Sequence, residues 1–270
     1  MIKLNAFGDP SIFGDRGTRL DGLMRQPKRF AVLIYLVCGG EGRVHRRDEL
    51  TAIFWPEADS GRGRNALRQS LHSIRKEIGP GVIIANGSQT LQANVTRIDS
   101  DVGAFHRALA AGSPEAALEL YKDEFLAGFH LPDSPDFDFW VEERRNQLAE
   151  MACRAAKNLA HRAEGERDLA DALYWWRKAL DLRPFDESVV RRLIALHAGG
   201  GNRGKARAEF DRFRHRMETE LGLEPSKETL DLLEKASRLP QDEIPQWVGD
   251  RRRDEFEAPD NLWRRTADLN

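Results

Sequence analysis

Cysteine is almost missing: the 270 residues contain two, Cys38 and Cys153, far apart in segments that read as helix. Neither belongs to a C-x-x-C pair or sits beside a cluster of metal ligands, which argues against a disulfide framework and against a zinc site. Buried thiols are the expectation. Long apolar runs are missing as well. The longest, Phe30 to Cys38, falls far short of the roughly 20 residues of a membrane span and starts too late for a signal peptide. A cytoplasmic protein with no membrane partner is therefore expected. No Ser/His/Asp set, recognisable carboxylate pair or metal-binding His pair stands out, so no catalytic residue, metal or cofactor is assigned and the chain is read as a non-enzyme.

Charge of one sign is the third absence. Lys and Arg number 42 against 44 Asp and Glu, a net charge of −2, whereas a polyanion such as DNA is normally met by excess cations. The average hides an uneven distribution. Residues 1–99 hold 15 Lys and Arg against 10 acids, and the remainder holds 27 against 34. An anion-binding surface is thus expected in the first part, and protein contacts in the second. At 40% hydrophobic and 32% charged, with a mean hydropathy of −0.59, the chain is globular and long enough for two domains.

Residues 2–24 read as short strands broken by Gly-Asp turns, a small antiparallel sheet. Pro27 suits a first helical turn, and the apolar run after it predicts a buried helix ending at Gly39-Gly40. A second helix is predicted from about Arg46 to Phe54, with Leu50, Ile53 and Phe54 on one face. The segment WPEADSGRG reads as a loop. It is followed by NALRQSLHSIRKEIG, Asn65 to Gly79. On a helical wheel Leu67, Leu71, Ile74 and Ile78 fall within about 40 degrees of one another. Asn65, Gln69, His72 and Lys76 fall opposite, with Arg62 and Ser73 beside them and Arg64, Arg68 and Arg75 on a flank. Then VIIANGSQTLQA reads as a hairpin around Asn86-Gly87. Strands, three helices and a hairpin are the order of a winged helix-turn-helix, whose third helix enters the major groove and whose hairpin is the wing.

The outward row of the third helix has a bland reading as a solvated basic face. Its place in the winged-helix order favours DNA. Asn65, Gln69, His72 and Ser73 are assigned to base edges, and Arg62, Arg64, Arg68 and Lys76 to phosphates or bases. Arg75 has a structural alternative, a pairing with a carboxylate. Arg46 and Arg47 open the second helix, where they either meet phosphate or are plain surface charges. The wing residues Asn86, Gly87, Ser88 and Gln89 complete the set, although this wing carries no Arg or Lys.

From Ser100 on the chain reads as helical. DVGAFHRALAAG and SPEAALELYKDEF form a pair, and LAGFHLPDSPDFDFW reads as an aromatic connection whose Asp133, Asp136 and Asp138 are solvated. Ala172, Trp176, Ala179 and Pro184 have tetratricopeptide spacing, with Leu159 and Ala160 in the preceding helix, and Leu193, Ala206 and Phe210 recur 34 residues on. The second copy departs from the pattern, because Phe213 replaces a small residue and proline waits until Pro225. Its last helix is expected to reach Leu221, and a capping helix to run from about Ser226 to Arg238. Gly199-x-x-x-x-Gly204-Lys205 mimics a phosphate loop, but Ala206 replaces the magnesium-binding hydroxyl and no strand precedes it. The aromatics Tyr174, Trp175, Trp176, Phe210 and Phe213 read mostly as packing. Beyond Pro240, a charged, proline-punctuated tail with Trp247 and Trp263 is expected.

The blocks RRDELTAIFWPEADSGRGRNALRQSLHSIRKEIG, DVGAFHRAL, ALELYKDEFLAGFHLPDSPDFDFWVEERR and LDLRPFDE closely resemble the SARP-type transcriptional activators. The resemblance covers about residues 1–240. It implies a mainly α protein with an OmpR/PhoB-like winged-helix DNA-binding domain over 1–98, a bacterial transcriptional activation domain of tetratricopeptide-like helices over 99–240, and a tail or linker over 241–270. It implies a sequence-specific regulator that binds promoter-proximal repeats in double-stranded DNA, pairs as a homodimer there, and recruits RNA polymerase. In such domains Ser or Thr often caps the second helix where His45 stands here, and the loop Trp55 to Asp59 corresponds to a segment that touches polymerase. The competing reading is a tetratricopeptide-type adaptor whose winged helix no longer binds DNA.

Overall fold

The computed structural model describes residues 1–238, and the expected tail with Trp247 and Trp263 lies outside the described residues. Two compact units emerge, Met1–Leu148 and a second beginning at Ala149. The border expected at residues 98 and 99 falls inside the first. Ile98–Ser100 is a strand there, and the Asp101 carboxylate accepts the backbone N–H groups of Ala6 and Phe7, each at 2.9 Å.

The first unit contains β1 (Ile2–Asn5), β2 (Ser11–Phe13), α1 (Asp21–Met24), α2 (Pro27–Cys38), β3 (Val44–Arg46), α3 (Arg47–Phe54) and α4 (Ser60–Ile78). They are followed by β4 (Ile83–Asn86), β5 (Thr90–Ala93), β6 (Ile98–Ser100), α5 (Asp101–Ala110), α6 (Pro114–Leu120) and the first turns of α7 (Pro135–Gly165). The expected winged-helix order is therefore present, with three corrections. The first sheet is mixed, in the order β2-β1-β6, because β6 pairs parallel to β1. The stretch after Gly17 adds only a bridge from Phe13 to Arg19 before turning into α1, whose Leu23 is buried. Finally, Pro135 to Trp140 belong to α7 and not to a connection. Proline at a first turn and the acids Asp136 and Asp138 behind it are helix-start signals. Asp138 is not solvated: it accepts the N–H of Leu131 at 3.0 Å and faces His130 Nδ1 at 2.5 Å.

Helix α2 is the axis of this unit. Phe30 to Leu36 and Cys38 are all buried, as its nearly continuous apolar sequence requires. Around it pack Leu50 and Phe54 of α3, Leu67, Leu71 and Ile74 of α4, and an aromatic group in which Tyr35 meets His45, Phe54 and Trp140 at ring-centroid distances of 5.1, 5.9 and 4.8 Å. Arg144 on α7 donates to the carbonyl of Cys38 at 2.8 Å. Both thiols are buried as expected, and burial pushes them up, Cys38 to about 12 and Cys153 to about 11, so neither is a thiolate at neutral pH.

The second unit takes the rest of α7 with α8 (Leu169–Leu182), α9 (Glu187–Gly199), α10 (Arg203–Leu221) and α11 (Lys227–Arg238). Leu159, Ala160, Ala172, Trp176, Ala179, Leu193, Ala206 and Phe210 are all buried, so the spacing of 34 identified helices that stack. Phe213 is buried too, as a larger member of the same seam. The helix α10 ends at Leu221, where Gly222 takes the left-handed conformation of a helix stop at φ 66°. Residues 200–202 form the turn between α9 and α10, which removes the phosphate-loop reading. Tyr174 departs from the packing expected of it: it is 59% exposed and stacks edge-on against its half-buried neighbour Trp175.

Candidate nucleic-acid interface

Helix α4 begins five residues before the stretch that predicted it. Asp59 caps it, its Oδ1 accepting the N–H groups of Gly61 at 3.0 Å and Arg62 at 2.9 Å, so Ser60 to Gly63 are helix and not loop. Leu67, Leu71, Ile74 and Ile78 are buried as the wheel predicts, and Ser70 joins them. That orientation sends Arg62, Arg64, Asn65, Arg68, Gln69, His72 and Lys76 to the exposed side. Among the described residues, no side-chain hydrogen bond or ion pair engages Gln69, His72 or Lys76. Arg68 donates to Asn65 Oδ1 at 2.6 Å, and Arg62 pairs with the capping Asp59 at 3.2 Å.

Two members of the predicted set face inward. Ser73 is half-buried and accepts from Arg29 Nη1 at 2.9 Å, a bond that braces α4 against the start of α2. Arg75 donates to the carbonyl of Ile83 at 3.2 Å. Its structural alternative thus takes a backbone acceptor in place of a carboxylate, tying α4 to the first strand of the hairpin.

The hairpin itself is β4 and β5, paired antiparallel with Asn86 opposite Thr90. The connecting loop is Gly87, Ser88 and Gln89, one residue longer than the Asn-Gly signal implies, with Gly87 at φ 66°. All four predicted wing residues are exposed. Sequence reading missed β3, which pairs with β5 on the other side and makes the sheet order β3-β5-β4. His45 therefore lies in a strand, fully buried, and is not a cap; the residue at the start of α3 is Arg46, whose side chain makes no capping bond.

Arg46 and Arg47 share this junction but not an environment. Arg46 is exposed and held by Asp48 through two bonds, Nε to Oδ1 at 3.0 Å and Nη2 to Oδ2 at 2.6 Å. This partner holds the Asp48 carboxyl below its ordinary range and raises Arg46. Arg47 is half-buried, and its Nε is buried with no acceptor among the described residues. Burial first, then the nearby Arg75 guanidinium, lower it. Its backbone N–H donates to the carbonyl of Gln89 at 2.8 Å, fastening the wing loop to the start of α3.

Among the described residues no group of three or more His, Cys, Asp or Glu is arranged to hold a metal, and no helix is long and apolar enough to cross a membrane. Chemically, the surface of α4, β3 and the wing offers hydrogen-bond donors, amides and cations. Groups of these kinds are the ones that pair with phosphates and base edges.

No curated protein matches the chain by sequence. A solved structure described as Mycobacterium tuberculosis EmbR in complex with low affinity phosphopeptide is similar in fold, with a TM-score of 0.63 and 22% identity over 92% of this chain and 68% of that one. Residues 89–236 match the family described as Bacterial transcriptional activator domain. That match covers more than half of the chain and includes the α8 to α11 array as well as β5, β6, α5 and α6 of the first unit. The chain belongs to the bacterial transcriptional activator domain family, in the SARP-type arrangement that its sequence resembles.

Proposed function

We propose that the protein is a sequence-specific DNA-binding transcriptional activator. In this reading α4 lies in the major groove, with Asn65, Gln69 and His72 against base edges and Arg62, Arg64, Arg68 and Lys76 at phosphates or bases. Asn86, Gly87, Ser88 and Gln89 approach the backbone from the wing. Ser73, engaged by Arg29, would reach a base only by releasing that bond. Arg46 and Arg47 flank the same surface. The observation that carries the reading is the orientation of α4, whose four buried aliphatics leave a row of Asn, Gln, His and Lys outward with no carboxylate in it. Amide and guanidinium groups match purine edges and phosphates.

The acidic second part would then serve protein contacts, pairing protomers as a homodimer on repeated sites or presenting a surface to RNA polymerase. Exposed Tyr174 on α8, stacked on half-buried Trp175, supports a protein contact there, since aromatic side chains are favoured anchors of interfaces. Binding of the full chain to the DNA upstream of its own gene across a salt series tests the reading. Specific binding that weakens steeply with salt and is lost in Arg68→Ala/Gln69→Ala is expected. Absent or salt-insensitive binding would instead favour a tetratricopeptide-type adaptor.

A further inference from the structure

The wing loop has no cation, yet the sheet supplies one from a strand that the sequence did not reveal. In the order β3-β5-β4, Arg46 stands opposite Thr90, and Thr90 stands opposite Asn86. The three residues form one cross-strand row at the base of the wing. Alternation along β3 fixes the side: Val44 and Arg46 are exposed and His45 between them is buried. The guanidinium of Arg46 therefore shares the outward face of the sheet with the two residues that flank the loop.

That guanidinium is already occupied. Asp48, in the first turn of α3, takes it by two parallel bonds at 3.0 and 2.6 Å, and the two side chains are 71% and 66% exposed. A planar fork matched to a carboxylate in this way has the geometry with which arginine binds a phosphate. Because the pair is open to water it is weak enough to be exchanged.

Resting on the DNA-binding reading above, we propose that Arg46 is the phosphate contact of the wing and that Asp48 is its internal competitor, which a DNA phosphate must displace. Asp48 thereby lowers the affinity of every complex in which the wing contact forms, by the cost of opening the pair. On random DNA, where few other contacts form, Asp48 holds the guanidinium back. On a matched site, where α4 fixes the backbone in place, phosphate takes over. Arg47 differs: among the described residues its half-buried guanidinium pairs with no carboxylate, so it cannot be switched in this manner.

The test is a double-mutant cycle on the full chain: wild type, Asp48→Asn, Arg46→Ala and the double variant. Fluorescence anisotropy is read on a 30-base-pair duplex of random sequence and on the upstream fragment, each over a salt series. Asp48→Asn should tighten upstream binding roughly 2- to 5-fold and random-duplex binding by no more than that, because the cost of opening the pair is paid in full wherever the wing contact forms. Arg46→Ala should lower the salt slope on the upstream fragment by about 0.9, one phosphate contact. In the Arg46→Ala background, Asp48→Asn should have no effect. If Asp48→Asn tightens binding equally with and without Arg46, the effect is one of general charge and the proposal is overturned. An unchanged slope in Arg46→Ala also overturns it. If the wild type binds neither duplex, the DNA-binding reading fails and takes this proposal with it, an outcome distinct from either of the others.

Discussion

Helices α4 and α10 are each 19 residues long and rich in cations, and their outward sides differ in one respect. On α10, Arg207 pairs with Asp211 at 3.0 Å, Arg212 with Glu209 at 2.5 Å and Arg214 with Glu224 at 2.9 Å. On α4, among the described residues, Arg62 alone is held by a carboxylate, that of the capping Asp59. Three cations of α10 are thus paired with acids of their own unit, while most of those on α4 face no carboxylate among the described residues. Counting Lys and Arg would rank the two helices together; the distribution of acids separates them.

The same contrast recurs in the buried histidines. His106 in the first unit is lowered to about 4 by burial, with Arg144 adding to the effect. His197 in the second unit is lowered by burial too, but Glu209, 3.9 Å away, works in the opposite direction.

These differences can be broken by experiment. The largest effects should fall on the buried sides, where the two helices are alike. Phe210→Ala on α10 is expected to cost about 3–5 kcal/mol and Leu71→Ala on α4 about 2–5 kcal/mol, read by urea unfolding. Next, Arg68→Ala/Gln69→Ala should reduce affinity for the upstream fragment roughly 100-fold without lowering the urea midpoint, since both residues are exposed. The histidines come third. An imidazole depressed on folding stays neutral while the unfolded chain takes up a proton near pH 6.5, so stability is complete above that pH and is lost as pH falls from 6.5 towards 4. The first unit should therefore lose on the order of 3 kcal/mol in that window, and His106→Gln should flatten the loss. His197→Gln should change the pH dependence less. Smallest of all, Arg207→Ala on α10 should leave both DNA affinity and salt slope unchanged, whereas Lys76→Ala on α4 should lower the slope by about 0.9. A change of slope in Arg207→Ala would dissolve the distinction between the helices.

Much of this was legible in the chain because periodicity reports burial directly. The α4 stripe, the α2 run and the tetratricopeptide spacing are sums over many residues, each contributing a consistent signal. What escaped was decided by partners remote in sequence. A strand as short as Val44–Arg46 has no pattern of its own and exists because β5 lies beside it. Ser73 looked like a reader because its wheel angle is near the outward row, but Arg29, 44 residues earlier, takes its hydroxyl. The start of α7 was misread for a different reason: its proline and aspartates were treated as loop composition when their order marks a helix start.

One backbone bond has a consequence for how a wing of this kind diversifies. The wing loop is fastened to α3 through the amide of Arg47 and the carbonyl of Gln89, at 2.8 Å, a bond that needs neither of their side chains. The side chains of Ser88 and Gln89 are then exchangeable without breaking that bond, and under the proposed DNA-binding function a lineage could retune sequence preference there while the scaffold stays as it is.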